Sequence, residues 1–248
     1  MPMITSMTIQ RYARIGGLIY LAIICLGLFG ELFVRSSLIV SGDAAATASN
    51  IVGSRALWRA GIAGDLLMQV LDVPLIVILY LLLKPVSHSL AMLSVLLNVV
   101  QTCVLVANKL TLVGALVLLG PSTLANGLVQ QEAQALAYFA VTLHGYGFGV
   151  GLIFFGFASM VRGYLIVKSG LLPRLLGVLL GIAGICYVVN SAALLLYPPL
   201  ASALFPAILL PAFIGELALA LWLLAKGVNA SAWQRLTSAS DSGIKSDA

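Results

Sequence analysis

Long apolar stretches alternate with short polar segments along the whole chain. Six apolar stretches stand out, at about residues 13–33, 56–83, 89–119, 135–161, 175–196 and 205–225. Each has at least the roughly 20 residues that a helix needs to cross the hydrocarbon core of a bilayer. A transmembrane β-barrel would show segments of about ten residues with alternating polarity instead. The pattern therefore predicts an all-α fold, a polytopic transmembrane helical bundle with six spans.

The second apolar stretch carries two acids, Asp65 and Asp72, among apolar neighbours. Because seven residues at about 100° each bring a helix back to nearly the same direction, the two carboxylates and Gln69 between them share one face. A charged side chain at the centre of a spanning helix costs about 2.5–3.5 kcal/mol on insertion scales. We therefore expect this face to look into protein or water. Pro74 predicts a kink just beyond the second acid.

Polar residues on the other predicted spans can approach this face. On the third span, residues at spacings of three and four form a partly polar stripe, which comprises Asn98, Gln101, Leu105, Asn108 and Leu112. Counted along each helix, His144 and Glu216 lie at a depth similar to that of Asp65. The sequence therefore predicts one outward-facing polar pocket between the second, third, fourth and sixth spans. Its candidate binding residues are Asp65, Gln69, Asp72, Asn108, Lys109, His144, Asn190 and Glu216, and its candidate rim residues are Glu31, Arg35 and Arg59.

Composition and charge support a membrane protein and suggest its orientation. The chain is 61% hydrophobic and only 8% charged, whereas a soluble domain carries about a quarter charged residues. Nine basic residues fall on the side of the two termini, namely Arg11, Arg14, Lys84, Arg162, Lys168, Arg174, Lys226, Arg235 and Lys245. Three fall on the opposite side, namely Arg35, Arg55 and Arg59. This bias predicts a location in the cytoplasmic (inner) membrane with both termini cytoplasmic.

The segments outside the spans divide the chain further. Residues 1–12 form a short cytoplasmic N-terminus, 13–226 a single transmembrane helical domain, and 227–248 a flexible cytoplasmic tail rich in Ser, Asp and Lys. Asp43 follows Gly42 and is a plausible helix N-cap. We therefore expect a seventh helix at about 43–54, lying at the membrane interface.

These residues are compatible with several functions. We favour binding or translocation of a small polar or ionic ligand, with candidate proton or cation sites at Asp65, Asp72 and Glu216. An alternative is an intramembrane enzyme that acts on a hydrophobic substrate, with His144 or an acid as general base. A third is a membrane assembly or signalling subunit. Catalysis is less favoured because the chain has no HExxH motif, P-loop or serine nucleophile elbow.

The same charges can also serve as structural pairs between helices. The predicted pairs are Lys109 with Asp65 or Glu216, and Glu31 with Arg35 at the i,i+4 spacing. His144 is interpreted in the same way, as a hydrogen-bonded residue of the bundle. No metal or other cofactor is expected, because no set of ligands has a recognised spacing. The lipid bilayer and an unknown small ligand are the expected partners. The scattered net charge of +5 does not indicate nucleic-acid binding.

Four segments, taken together, resemble a known family. They are YARIGGLIYLAIICLGLFGELFVRSSLIVSGDAAATASNI, GDLLMQVLDVPLIVILYLLLKPV, LHGYGFGVGLIFFGFASMVRGYLIVKSGLLPRLLGVLLGIAG and PAFIGELALALWLLAKGVN. Over about residues 11–229 the chain is similar to a bacterial integral-membrane family of unknown function (domain of unknown function 4386). The resemblance implies a polytopic protein of the cytoplasmic membrane, and it implies no particular activity.

Overall fold

The computed structural model describes residues 6–121 and 127–244, and helices are the only regular secondary structure in these ranges. Helix α1 (Ser6–Leu28) continues through a π-helical segment (Phe29–Arg35) into the short α2 (Ser36–Leu38). The other helices are α3 (Ala44–Gly53), α4 (Arg55–Leu83), α5 (His88–Leu118), α6 (Gln130–Ser169), α7 (Arg174–Leu196), α8 (Pro198–Leu204), α9 (Leu210–Ala225) and α10 (Ala230–Ile244), with a 3₁₀ turn at Ala207–Leu209 before α9.

Six helical stretches in the described residues are long and apolar enough to cross a membrane, namely Met7–Leu38, Arg55–Leu83, His88–Leu118, Gln130–Ser169, Arg174–Leu196 and Ala207–Ala225. The predicted all-α bundle with six spans is therefore confirmed. Each spanning helix packs against the next one in the sequence, and α9 packs against α1. The six helices thus form a closed ring, so that one face of every helix looks toward the others. This arrangement lets polar side chains from all six helices meet away from lipid.

Apolar side chains form a core at each end of the ring. The core at the end that contains the chain termini includes Ile9, Leu82, Leu171, Leu223, Val228 and Trp233. The core at the opposite end includes Val34, Ile51, Trp58, Leu112 and Val141. Buried polar residues occupy the levels between these cores. The predicted polar faces of α4 and α5 are indeed buried, because Asp65, Gln69, Asp72, Asn98, Gln101 and Asn108 all have little exposed surface.

Helix α3 forms where the sequence predicts a seventh helix. The Asp43 carboxylate accepts a hydrogen bond from the backbone N–H of Ala46 at 2.8 Å, which confirms its role as N-cap. Ile51 is buried on the face that packs into the core. The turn before α3 is fixed by the Tyr138 hydroxyl, which accepts a hydrogen bond from the backbone N–H of Gly42 at 2.7 Å. Helix α3 therefore covers one end of the bundle.

Helix α10 occupies most of the segment for which the sequence predicts a flexible tail. Trp233 and Ala232 are buried against the core, with Val228 just before the helix. The Asn229 side chain caps the helix by accepting hydrogen bonds from the backbone N–H groups of Ser231 and Ala232, both at 3.1 Å. A cap and two buried side chains thus accompany the helix in this polar segment, and the average composition of the segment does not indicate them.

Helices α6 and α7 approach each other most closely at glycines. A Cβ added to Gly177 would lie 2.6 Å from the backbone oxygen of Gly163, and one added to Gly156 would lie 2.7 Å from the backbone oxygen of Gly184. Close backbone approach at small residues is a common basis of helix association in membranes. The small residues at these two positions therefore set the distance between α6 and α7.

We expect Gly177→Ala to lower the thermal midpoint of the purified protein in detergent. The new methyl group collides with backbone, which cannot rotate away, and overpacking of this kind costs about 1–3 kcal/mol. Gly181→Ala is the matched control on the same helix, because a Cβ at Gly181 meets nothing within 4 Å. Equal midpoints for the two variants would contradict the close packing of α6 against α7.

Candidate functional site

Many of the buried polar residues, together with a few more exposed ones, form two clusters at different levels of the ring. The outer cluster lies toward the end opposite the chain termini and consists of Glu31, Arg35, Asp65, Asn108, Lys109 and His144. The inner cluster lies nearer the termini and consists of Tyr20, Asp72, Ser94, Asn98, Gln101, Thr102, Arg162, Tyr187 and Glu216. The structure thus distributes most of the predicted pocket residues between two clusters.

Asp65 on α4 is the centre of the outer cluster. Its Oδ2 accepts hydrogen bonds from Arg35 Nη1 at 2.7 Å and from Lys109 Nζ at 2.9 Å. Arg35 Nε also donates to Glu31 Oε2 at 2.8 Å. Asp65 and Lys109 are buried, whereas the Glu31 side chain is 57% exposed. Two acids therefore face two bases, and the outer cluster carries no net charge.

These contacts confirm two of the predicted pairs, Glu31 with Arg35 and Asp65 with Lys109. The ion pair between Arg35 and Asp65 joins α1 to α4 and has no counterpart in the sequence analysis. Gly30 makes room for it, because a Cβ there would lie only 2.6 Å from Asp65 Oδ1. Gly30 belongs to the π-helical segment, and such segments often occur at functional sites.

Asn108 holds His144 against α5. The Asn108 side-chain amide lies 3.1 Å from His144 Nδ1 and donates to the backbone carbonyl of His144 at 2.8 Å. Gly147, nearly one turn further along α6, leaves space for this amide, with which any Cβ would collide. His144 is thus a buried residue that is held by hydrogen bonds within the bundle. A role of His144 as general base stays a prediction.

Asp72 is bound in the inner cluster by neutral donors. Its Oδ2 accepts hydrogen bonds from Thr102 Oγ1 at 2.6 Å and from Asn98 Nδ2 at 2.8 Å. Asn98 Nδ2 also donates to Gln101 Oε1 at 2.7 Å. Thr102, Asn98 and Gln101 all lie on α5, so one face of α5 provides the polar surface that receives this acid.

Among the described residues of the inner cluster, Arg162 is the one base, and it is only 5% exposed. Its Nε donates to Ser94 Oγ at 2.8 Å, and its Nη2 donates to Asn98 Oδ1. Asp72 and Glu216 both act on it electrostatically. In the described part of the chain, however, the ion pairs formed by lysines and arginines all lie in the outer cluster.

The apolar pattern predicts that the fourth span ends at residue 161 and leaves Arg162 outside it, and this prediction is wrong. Helix α6 continues to Ser169, and Arg162 lies within it. The apolar stretch by itself suggests that the helix ends before Arg162. The polar partners that allow Arg162 to be buried lie on α5, and their distance in sequence hides them from such a pattern. The count of basic residues on the side of the termini therefore becomes eight rather than nine, and the bias toward that side remains.

Glu216 on α9 completes the inner cluster. Tyr187 Oη donates a hydrogen bond to Glu216 Oε1 at 2.6 Å. The hydroxyl of Tyr20 faces the same carboxylate. Each of the six spanning helices thus contributes a polar group to the inner cluster, namely Tyr20 from α1, Asp72 from α4, Asn98 from α5, Arg162 from α6, Tyr187 from α7 and Glu216 from α9.

Comparison with known proteins places this architecture in a family. A family model described as "Domain of unknown function (DUF4386)" matches residues 15–227, which include most of every spanning helix. The chain belongs to the DUF4386 family. An uncharacterized protein of Archaeoglobus fulgidus is 31% identical to it over 166 residues, which cover 67% of this chain and 83% of that protein. No solved structure matches the DUF4386 chain.

The remaining candidate residues lie outside the hydrogen bonds of both clusters. Gln69 is buried on the α4 face between Asp65 and Asp72, and its Oε1 has no partner in the described residues. Asn190 is half-buried on α7, and its Oδ1 likewise lacks a partner there. Arg59 is exposed on α4. The candidate binding residues predicted from the sequence include both acids of the inner cluster, Asp72 and Glu216, and omit its base, Arg162.

Five residues of the inner cluster in this DUF4386 chain are absent from the candidate site residues predicted from the sequence, namely Tyr20, Ser94, Thr102, Arg162 and Tyr187. Tyrosine, serine and threonine occur throughout ordinary spanning helices, so their presence alone is no signal. One signal was available for Arg162, since Ser94 and Asn98 lie four residues apart on α5 and form a continuous polar surface. Only the packing of α6 shows which base meets that surface.

We expect Asp65→Asn to destabilise the DUF4386 protein strongly, because it leaves Lys109 buried without its counter-ion. Removing one partner of a buried pair costs about 3–5 kcal/mol. Glu31→Gln is the control, since it breaks the exposed end of the same network, where a pair contributes at most about 1 kcal/mol. The measurement is the unfolding midpoint in detergent.

The double variant Asp65→Asn/Lys109→Met tests the cause of that loss. It removes the buried cation together with the anion, so it should recover much of the lost stability. A double variant that is no more stable than Asp65→Asn alone would show that the ion pair is not the source of the effect.

Proposed function

We propose that this DUF4386 protein binds a small monovalent cation, or a small polar molecule that carries a positive charge, at the inner cluster and translocates it across the membrane. The observation that carries the proposal is a charge imbalance. Two acids, Asp72 and Glu216, share the inner cluster with a single base, Arg162, and neither forms an ion pair with it. A cation bound there would balance the second carboxylate.

The hydrogen bonds of the two acids fit this role. Hydrogen bonds to a charged group contribute about 1.5–3 kcal/mol, more than those between neutral groups. Thr102, Asn98 and Tyr187 can therefore stabilise ionised carboxylates without neutralising them. Ser94 and Asn98 meanwhile hold the Arg162 guanidinium through hydrogen bonds of their own. The negative charge of the acids is thus left available to a ligand.

The outer cluster suits a different task, closure of the bundle at that end. Asp65 already binds two bases, so it offers little to a cation. The cleft beside Arg35, which Trp58 and Leu112 also line, has no room for a water molecule. Passage through this end requires the Arg35–Asp65 pair to separate. We therefore assign Asp65 to the closure and the ligand to Asp72 and Glu216.

Helix α4 has a feature that would assist movement near the ligand. Pro74 lies inside this helix, two residues beyond Asp72. A proline removes one backbone hydrogen bond and weakens the helix locally. Transporters place such interruptions next to their binding sites. Pro74 therefore supports translocation over static binding.

We propose the cytoplasmic membrane as the location, with both termini on the cytoplasmic side. Support comes from the excess of basic residues on the side of the termini once Arg162 is set aside, namely Arg11, Arg14, Lys84, Lys168, Arg174, Lys226, Arg235 and Lys245, against three on the other side. In this orientation the outer cluster faces the exterior, and the inner cluster lies closer to the cytoplasm.

The proposal predicts that small cations stabilise the purified protein. Its thermal midpoint should rise with concentration in at least one series of Na⁺, K⁺, Li⁺ or tetramethylammonium, measured against N-methylglucamine at constant ionic strength. A ligand at 100 times its Kd stabilises the folded state by about 2.7 kcal/mol. Asp72→Asn and Glu216→Gln should each abolish the rise.

Glu31→Gln is the matched neutralisation, because it removes an exposed acid of the outer cluster. It should respond to the cation as the wild type does. A midpoint that is unaffected by every cation in the wild type would refute a cation site at the inner cluster. A rise that persists in both inner-cluster variants would place the cation elsewhere.

A further inference from the structure

Three spanning helices share a pattern at or next to their last turn. An aromatic residue is followed four positions later by lysine. The pairs are Tyr80–Lys84 in α4, Tyr164–Lys168 in α6 and Trp222–Lys226 in α9. In the first two, the lysine Nζ lies over the ring, 5.9 Å and 5.8 Å from its centroid. Tyrosine and tryptophan concentrate at the headgroup level of a membrane, and long basic side chains reach that level from helix ends.

All three pairs lie at the same end of the bundle. Leu83, Leu172 and Val228, which flank these helix ends, belong to one apolar core together with Ile9 near the start of α1. The three helices therefore finish on the side of the chain termini, and their aromatic residues and lysines mark one headgroup level there. The position of this headgroup level follows from the helix ends and their aromatic–lysine pairs, and it depends on neither polar cluster.

A pocket of about 420 Å³ opens at this level. Its walls are residues 170–173, which follow α6, and residues 226–229, which follow α9, together with Trp222. The backbone N–H of Asn229 donates to the carbonyl of Leu171 at 2.9 Å and ties the two walls together. Gln10 on α1 supports the second wall, since its Oε1 accepts a hydrogen bond from the backbone N–H of Val228 at 2.8 Å.

The charge of the pocket favours an anion. Lys226 is exposed and is the charged residue of the lining, and neither wall contains an acid. Arg174, which is also exposed, directly follows the first wall. Ligand sites commonly enclose about 300–1,000 Å³, so the pocket is large enough for a small polar group. Basic pockets between spanning helices at the headgroup level are typical sites for anionic lipids.

We propose that this pocket binds the phosphate of an anionic phospholipid, with Lys226 as the cation that holds it. The acyl chains would leave the pocket beside Trp222, which is exposed on the outer face of α9. The proposal does not depend on a cation at the inner cluster, because the two sites share no residue. The lipid would join the ends of α6 and α9 and so stabilise the ring at its basic end.

The test uses the full chain, purified and delipidated in a neutral detergent, with short-chain phosphatidylglycerol and phosphatidylcholine as probes. Phosphatidylglycerol should raise the thermal midpoint in a saturable way, and phosphatidylcholine should not. Lys226→Gln should weaken the apparent affinity for phosphatidylglycerol about fivefold, since it removes one basic residue at the headgroup level. Inorganic phosphate should give no comparable rise, because it lacks the chains.

Lys84→Gln is the control, because it removes a lysine of the same aromatic–lysine type that does not line the pocket. It should bind phosphatidylglycerol as the wild type does. Three results would overturn the proposal: a Lys226→Gln variant that responds like the wild type, an equal loss in Lys84→Gln, or an equal rise with inorganic phosphate. The second would indicate general surface charge, and the third a site for free phosphate.

Discussion

Ionised side chains inside the hydrocarbon of a membrane need an opposite charge or hydrogen-bond donors, and this requirement organises the DUF4386 bundle. The two polar clusters meet it differently. In the outer cluster Asp65 is neutralised by Arg35 and Lys109. In the inner cluster the acids receive hydrogen bonds from neutral groups, and the only described base is held by neutral partners as well. The carboxylate of Asp65 is therefore paired with bases, whereas the acids of the inner cluster are held by hydrogen bonds from neutral groups.

The ring of helices follows from the same requirement. A polar group on a spanning helix must face other helices, and the inner cluster receives such a group from each of the six. Because α9 packs against α1, the ring of helices is closed around this cluster. The close contacts of α6 with α7 at Gly156 and Gly163 help to bring Arg162 and Tyr187 to one centre.

The two ends of the bundle also differ in their charged side chains and in the space between their helices. At the end opposite the termini, Trp58 and Leu112 pack between the ion pairs of the outer cluster and that end of the bundle, and the cleft that they line with Arg35 excludes water. At the end with the termini, lysines lie over aromatic rings, and a pocket remains open between two helix ends. We infer that the first end serves closure and the second contact with the lipid surface.

Sequence alone determined what depends on neighbours along the chain. Apolar length defines six spans, helical periodicity defines the buried faces with Asp65 and Asp72, and local spacing defines the Glu31–Arg35 pair and the Asp43 cap. Only the tertiary structure decided which helices meet side by side. Depth along a helix can be counted in residues, whereas lateral position depends on packing between distant segments. For this reason the Arg35–Asp65 pair, the inward position of Arg162 and the separation of Glu216 from Asp65 into different clusters emerged only from the folded bundle.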